Sequence, residues 1–405
     1  MLKFVKQVPI YLWSFISLIF GLIIGAGLGE HISIISSGTH SVLTGFIKIV
    51  PIVIFIALCP AISKLKSQGG GGKLAASVIG WFLLSSTCAG LLGVVFSSLL
   101  FNIEISSGNG SMVDEAYRMF AILNGDSRAS WPIFAIFFAV FTGLIATKIA
   151  PLQKLLNTFD YWISNSTPLL SRIMPVIVFF LGITLGVNTG ATDSLKYYFM
   201  MTLYTFCLCG IWLIIYLLVV IKILAKQSIK KVMREYFFPT AVFAAGTCSS
   251  LATLPVNLTN VKKYGADPSV AGFVIPIGAV INLDSSALAY VAYAPFIMTI
   301  VFDLSIAWTA MLVAWPAIVI FTIAAPGLPA GMGTALWSST LFASLLGLDE
   351  TQTTVFITTW IALSGGLPDM FRTATNCTCD GFTAIFFSKK FSNSLKSDFK
   401  IPGEV

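Results

Sequence analysis

Apolar runs about twenty residues long recur down the chain, separated by short stretches rich in lysine, glycine and proline. Runs at about 8–30, 41–63, 74–101, 130–150, 165–190 and 195–224 each have the length of a helix that crosses a hydrocarbon core. Beyond residue 230 the pattern changes. Segment 237–260 is apolar at its start and is then interrupted by Gly246 to Ser250 and by Pro255. Lys262 and Lys263 follow it, so its two ends belong on the same side, which predicts a re-entrant hairpin. The small polar tip of such a hairpin survives at depth only if buried in protein. A second broken segment, 307–347, is interrupted between Ala325 and Gly333, with both ends on the outer side. Between the two, 270–300 reads as one long span carrying Asn282, Asp284, Ser285 and Ser286. A last helix is expected over about 352–388.

That last helix carries Asp369, Arg372, Thr373, Asn376 and Asp380 at offsets 0, 3, 4, 7 and 11. The spacing puts all five on one face. Carboxylates and a guanidinium at membrane depth are costly unless paired or facing a cavity, so the default reading is a substrate or ion site. Two broken segments of opposite orientation beside ionisable spans match the inverted-repeat plan of secondary transporters, whose site lies near the midplane. A channel also uses re-entrant loops, but the polar groups here are diverse and clustered, a pocket more than a ring.

Composition agrees with the pattern. Charged residues make up 10 % of the 405 and mean hydropathy is +0.90, against about 25 % charged residues in soluble domains. The expected class is an all-α polytopic membrane protein of about eight transmembrane helices plus two re-entrant helical hairpins. The net charge of +7 reflects basic loops that set orientation, so no nucleic-acid partner is expected. Lys3 and Lys6, Lys64 and Lys66, Lys148 and Lys154, Lys230 and Lys231, and Lys389 and Lys390 fall at the N-terminus, in every second loop and in the tail, all on one side. They predict cytoplasmic termini. The N-terminal run shows no small-residue cleavage pattern and reads as an uncleaved first span. Seven cysteines without partners at metal spacing, and only His31 and His40, suggest neither a disulfide framework nor a zinc or haem site. No nucleophile–base pair is apparent, so no enzymatic role is expected.

Chemically, Arg372 offers a planar fork to a carboxylate. Asp369 either neutralises it or accepts from a ligand ammonium. With Thr373 and Asn376 the pair reads as a zwitterion detector, to which Ser249 and Ser250 at the first tip would add donors to the α-carboxylate. Asp380, Asn282 and Asp284 have no basic partner nearby in sequence. Oxygen ligation of a hard cation such as Na⁺ explains them, and a proton carried on a buried carboxylate is the rival. Local capping by Asp284 is a third reading.

These segments resemble the dicarboxylate/amino acid:cation symporter family, which includes the glutamate and aspartate transporters. The resemblance rests on Ser249, Ser250, Thr253, Leu254 and Pro255; on Asn282 to Ser286; on Pro326 to Gly333; and on the five polar residues of the last helix. Ser85 and Ser86 in the third span resemble a segment that helps build a sodium site. The match is strong over 237–390 and weaker but collinear before it. By resemblance the chain is an elevator-type homotrimer in a cell inner (plasma) membrane. Scaffold spans 1 and 2 would occupy 1–73, and transport-domain span 3 with an extracellular loop 74–129. Scaffold spans 4 and 5 would take 130–193. The transport core would be 194–405, holding span 6, hairpin 1, span 7, hairpin 2 and span 8. The second hairpin would act as the gate. Substrate would bind Ser249, Ser250, Asp369, Arg372, Thr373 and Asn376. Sodium would bind Asn282, Asp284, Asn376, Asp380, Ser85 and Ser86.

This chain departs from the family pattern at several points. Leu283 stands where sodium-coupled members usually have methionine, Phe82 where a tyrosine is common, and Gly365 where an acid is common. Cys248 and Cys379 replace the usual tip residue and a glycine. Arg372 together with Asp369 points to aspartate or glutamate with sodium. The alternative is proton coupling or a C4-dicarboxylate substrate. A substrate-gated anion channel or sensor is the reading from another class.

Overall fold

The structure is a computed structural model that describes residues 10–32, 73–101, 103–104, 130–189, 191–323 and 332–398, with isolated positions between 35 and 63. The second span and most of the loop at 102–129 lie outside the described residues, as does 324–331 in the expected second tip. The described chain is helical apart from one short parallel contact, β1 (Ile103–Glu104) with β2 (Ile306–Ala307). It is an all-α polytopic membrane protein. Three helical stretches, Lys73–Leu100, Thr192–Leu224 and Pro268–Val301, are long and apolar enough to span a bilayer.

The first five helices are α1 (Ile10–Leu28), α2 (Lys73–Leu100), α3 (Ser130–Ala146), α4 (Ala150–Thr189) and α5 (Ala191–Tyr216). The last continues as wider turns over Leu217–Leu224. Here α4 corrects the sequence reading, which places a span at 165–190 after a loop. No glycine occurs between 150 and 181, and the polar residues Gln153, Lys154 and Asn157 interrupt hydropathy without interrupting helix. Ser63 Oγ donates to Gln153 Oε1 at 2.6 Å, which satisfies one polar side chain of this end.

Further along, three stretches are broken within the described residues. The first hairpin is α6 (Phe238–Thr247) and α7 (Ser250–Tyr264). Cys248 separates them in a left-handed conformation (φ 48°), and Ser249 caps α7 by accepting from Ala252 N. The long span expected at 270–300 is instead two helices, α8 (Pro268–Ile281) and α9 (Asp284–Phe296), with Asn282 and Leu283 out of helical geometry. Helices α10 (Trp308–Ile323) and α11 (Met332–Leu345) lie on either side of 324–331, where the second break is expected. The last expected helix is also two, α12 (Glu350–Ser364) and α13 (Leu367–Asp398). Asp349 and Gln352 form a reciprocal capping box at the start of α12. Gly366 turns the chain between them with φ 67°, a conformation that favours glycine.

Packing gathers these breaks. Helix α13 is surrounded by α5, α6, α7, α8 and α9, while α10 and α11 lie against α9 and α10 also packs on α2. Helix α1 runs along α4. Gly21 of α1 meets Gly182 of α4, Gly25 meets the Ile183 backbone and Gly186 meets that of Leu22 and Ala26, so the two backbones touch. This is the small-residue contact that helices use where lipid removes any hydrophobic drive to associate. A Cβ on Gly182 would lie 2.7 Å from the Leu18 carbonyl oxygen, whereas one on Gly27 meets nothing. Gly182→Ile is therefore expected to destabilise the protein by about 1–3 kcal/mol, the usual cost of overpacking. Thermal unfolding in detergent should show that loss for Gly182→Ile and none for Gly27→Ala.

Candidate functional site

The polar residues foreseen on the last helix all lie on α13, each no more than 6 % exposed. Arg372 is the centre. Its Nη2 donates to Asp369 Oδ1 and to the Ser364 carbonyl, each at 2.9 Å. Its guanidinium carbon sits 4.6 Å from the Tyr290 ring centroid and 5.7 Å from that of Tyr293. Two aromatic faces, a carboxylate and a carbonyl thus replace the water this cation gave up. The set is incomplete. Arg372 Nε and Nη1 and Asp369 Oδ2 are buried without a hydrogen-bond partner. Two donors and one acceptor are therefore left for something else.

The first hairpin reaches this pair through Cys248, whose thiol lies beside the Asp369 carboxylate. Ser249 spends a lone pair on its cap at Ala252 N, so its O–H is what it can offer a ligand. Ser250 is in the first turn of α7, next to Cys377. Thr373 is buried beside Arg372 on α13. Asn376 is occupied chiefly with the break between α8 and α9. Its Oδ1 accepts from Ser285 N at 3.0 Å and from Ser285 Oγ at 2.6 Å, and its Nδ2 donates to Ser286 Oγ at 3.2 Å. Ser285 Oγ is also 2.7 Å from the Arg372 carbonyl.

The residues proposed for a cation separate into two clusters. In the first, Asn282 Nδ2 donates to Asp380 Oδ1 at 2.8 Å, and Asn282 Oδ1 is buried without a partner. Gly278 makes room here, because a Cβ at that position would strike the Asp380 carboxylate. In the second, Asp284 accepts from Ser86 Oγ at 2.8 Å, from Trp212 Nε1 at 3.3 Å, and from Ser85 Oγ. The Tyr216 hydroxyl stands behind Ser85 at 3.0 Å, and it contacts Trp81 Nε1 and Thr383 Oγ1 as well. Both clusters offer oxygen donors, the chemistry of a hard cation. Trp212, Tyr216, Tyr290 and Tyr293 were not foreseen. An aromatic residue in an apolar helix reads as core until its ring or hydroxyl is seen to meet a polar group.

The aromatic contribution to the guanidinium can be isolated. Tyr290→Phe keeps a ring under Arg372 and Tyr290→Leu removes it. The leucine variant is expected to be the less stable by about 2 kcal/mol, the size of a desolvated cation–π contact, measured by thermal unfolding in detergent.

Residues 10–390 match the sodium:dicarboxylate symporter family. Among curated relatives, a C4-dicarboxylate transport protein of Burkholderia mallei is 23 % identical over 331 residues, covering 74 % of this chain and 76 % of that protein. C4-dicarboxylate transport protein 2 of Mesorhizobium japonicum is 25 % identical over 322 residues, 72 % of each chain. A C4-dicarboxylate transport protein of Pseudomonas fluorescens is 24 % identical over 322 residues, 71 % of this chain and 70 % of that one. Together with the helical membrane architecture and the buried ionisable groups, the match shows that the chain belongs to the sodium:dicarboxylate symporter family and is a transport protein, not an enzyme.

Proposed function

We propose that this protein is a cation-coupled symporter of short dicarboxylates, with one substrate carboxylate held by Arg372. The observation that carries the reading is the pair of buried guanidinium donors without acceptors. A substrate carboxylate is a charge-matched acceptor for such a donor, and the relatives named above are C4-dicarboxylate transport proteins. Asp369 favours a second reading, transport of aspartate or glutamate. Its Oδ2 is buried without a donor, and an ammonium would supply one. On either reading Ser249, Ser250, Thr373 and Asn376 complete the substrate shell.

Sodium is the proposed coupling ion, at Asp380 with Asn282 and at Asp284 with Ser85 and Ser86. Asn376 would link those positions to the substrate. A proton is the competing ion, because Leu283 resembles the proton-coupled and dicarboxylate-transporting branches. The remaining architecture is proposed with the family: a homotrimer in the inner membrane, cytoplasmic termini, and eight spans with two re-entrant hairpins as inverted repeats. The domain limits are those given above, the second hairpin is the gate, and the transport domain moves against the scaffold.

Proteoliposomes loaded against an inward sodium or proton gradient, and given labelled succinate or L-aspartate, separate these readings. Concentrative succinate uptake supports the dicarboxylate reading; uptake of aspartate with succinate excluded supports the second. Uptake driven as well by a pH gradient without sodium removes the sodium assignment, and currents without concentrative uptake would support a channel. Arg372→Cys should cost about 2–5 kcal/mol of substrate affinity, the range for truncating a buried hydrogen-bonded charge. Unchanged binding in that variant would refute the role of Arg372. Asp380→Asn is expected to abolish the dependence of uptake on the driving cation while leaving the protein folded, checked by cation-response curves and gel filtration.

A further inference from the structure

The break between α12 and α13 frees backbone groups that a continuous helix would pair internally, in a stretch where Ser364, Gly365 and Gly366 are buried and Leu367 is half-buried. Their partners can be followed one at a time. The Ser364 carbonyl accepts from Arg372 Nη2 at 2.9 Å. The Gly366 carbonyl accepts from Met370 N at 3.1 Å, starting α13. The Gly365 carbonyl and the Leu367 amide share one partner atom. The Tyr198 hydroxyl donates to Gly365 O at 3.3 Å and accepts from Leu367 N at 2.9 Å. Tyr198 is fully buried and belongs to α5, far away in sequence. Its approach also accounts for Gly366. A Cβ there would lie 2.6 Å from the Tyr198 hydroxyl oxygen, on a residue already at φ 67°.

We infer that Tyr198 is a positioning residue for Arg372, and through it for the substrate carboxylate. Two of the polar anchors of the guanidinium are Asp369 Oδ1 and Ser364 O. The second has its position only because the chain stops being helical at Ser364 and turns at Gly366. The Tyr198 hydroxyl bridges the two sides of that turn, holding the end of α12 and the start of α13 at a set separation. Without it, the buried Gly365 O and the half-buried Leu367 N would both lose this partner. The break would then relax toward other pairings, carrying Ser364 O away from the guanidinium. The device also ties α5 to the substrate arginine, so the docking of α5 and the orientation of Arg372 become one structural variable. This inference rests on the proposed role of Arg372 and adds to it a residue from another span.

The test uses the full-length protein in proteoliposomes, with labelled succinate and, in parallel, labelled L-aspartate. Tyr198→Phe keeps the buried ring and removes only the hydroxyl. It is expected to raise the KM for the transported substrate about tenfold, as for a lost hydrogen bond that strands a buried carbonyl. Maximal rate and the concentration of driving cation giving half-activation should stay close to wild type. Gly366→Ala, which pushes on the same hydroxyl from the other side, should reproduce that selective rise. In an Arg372→Lys background, adding Tyr198→Phe should bring no further loss, because the two act on one interaction. An unchanged KM in Tyr198→Phe overturns the proposal. So does an equal loss in both backgrounds, which would assign Tyr198 to general packing. If Arg372→Lys itself leaves KM unchanged, the role of Arg372 fails and this inference with it. A normal Tyr198→Phe beside a defective Arg372→Lys removes Tyr198 alone.

Discussion

A guanidinium buried among membrane-spanning helices is the constraint around which the rest of this protein is arranged. Arg372 is 1 % exposed, and Arg stays charged under all physiological conditions. Its lost hydration has to be replaced by fixed groups. Asp369 supplies a countercharge, Ser364 a carbonyl, and Tyr290 and Tyr293 two ring faces. None of these alone offsets the desolvation of an isolated cation, and their sum still leaves donors unused. A site that is nearly but not fully compensated is suited to bind an anion reversibly, because the ligand completes a hydrogen-bond set that the protein leaves short.

Broken helices are the second half of the same design. An intact α-helix hides its carbonyls and amides, so a binding site in hydrocarbon has few backbone groups to use. Breaks at Cys248 and Ser249, at Asn282 and Leu283, and at Ser364 to Gly366 release them near α13. Every released group needs a partner, and the chain repeatedly supplies a side chain from a different helix. Asn376 receives the amide of Ser285, and Tyr198 joins Gly365 to Leu367. Tyr236 from the approach to the first hairpin donates to Asn257 and lies against the carbonyl of Cys377. These cross-helix bonds hold the breaks open in specific shapes, which is how backbone irregularity becomes geometry at the site.

Much of this was legible beforehand, for identifiable reasons. Hydropathy finds membrane helices well because lipid admits few alternatives, and the helical face of Asp369, Arg372, Thr373, Asn376 and Asp380 follows from spacing alone. The first hairpin was visible because Gly246 to Ser250 are poor helix interiors; Pro255, read as a second interruption, lies inside α7 without ending it. The break before Asp369 was not, because Ser364, Gly365 and Gly366 are small residues that a membrane helix also tolerates for close packing. Helix α4 was cut short in the sequence reading because hydropathy measures lipid contact, and Gln153, Lys154 and Asn157 forgo that contact while remaining helical. The glycines of α1 and α4 carried no signal until the partner helix was known.

By itself the sequence determined the compartment, the helical class and the residue types at the site, since a chain with so few charges cannot scatter them through a membrane without purpose. Tertiary structure decided how those residues are divided. It paired Arg372 with Asp369, set Asp380 with Asn282, and drew Asp284 away to Ser85, Ser86 and Trp212. It also recruited tyrosines that sequence alone assigns to the core. The reason is physical: spacing along one helix says which side chains share a face, but a buried charge is satisfied by whatever other helices bring to that face.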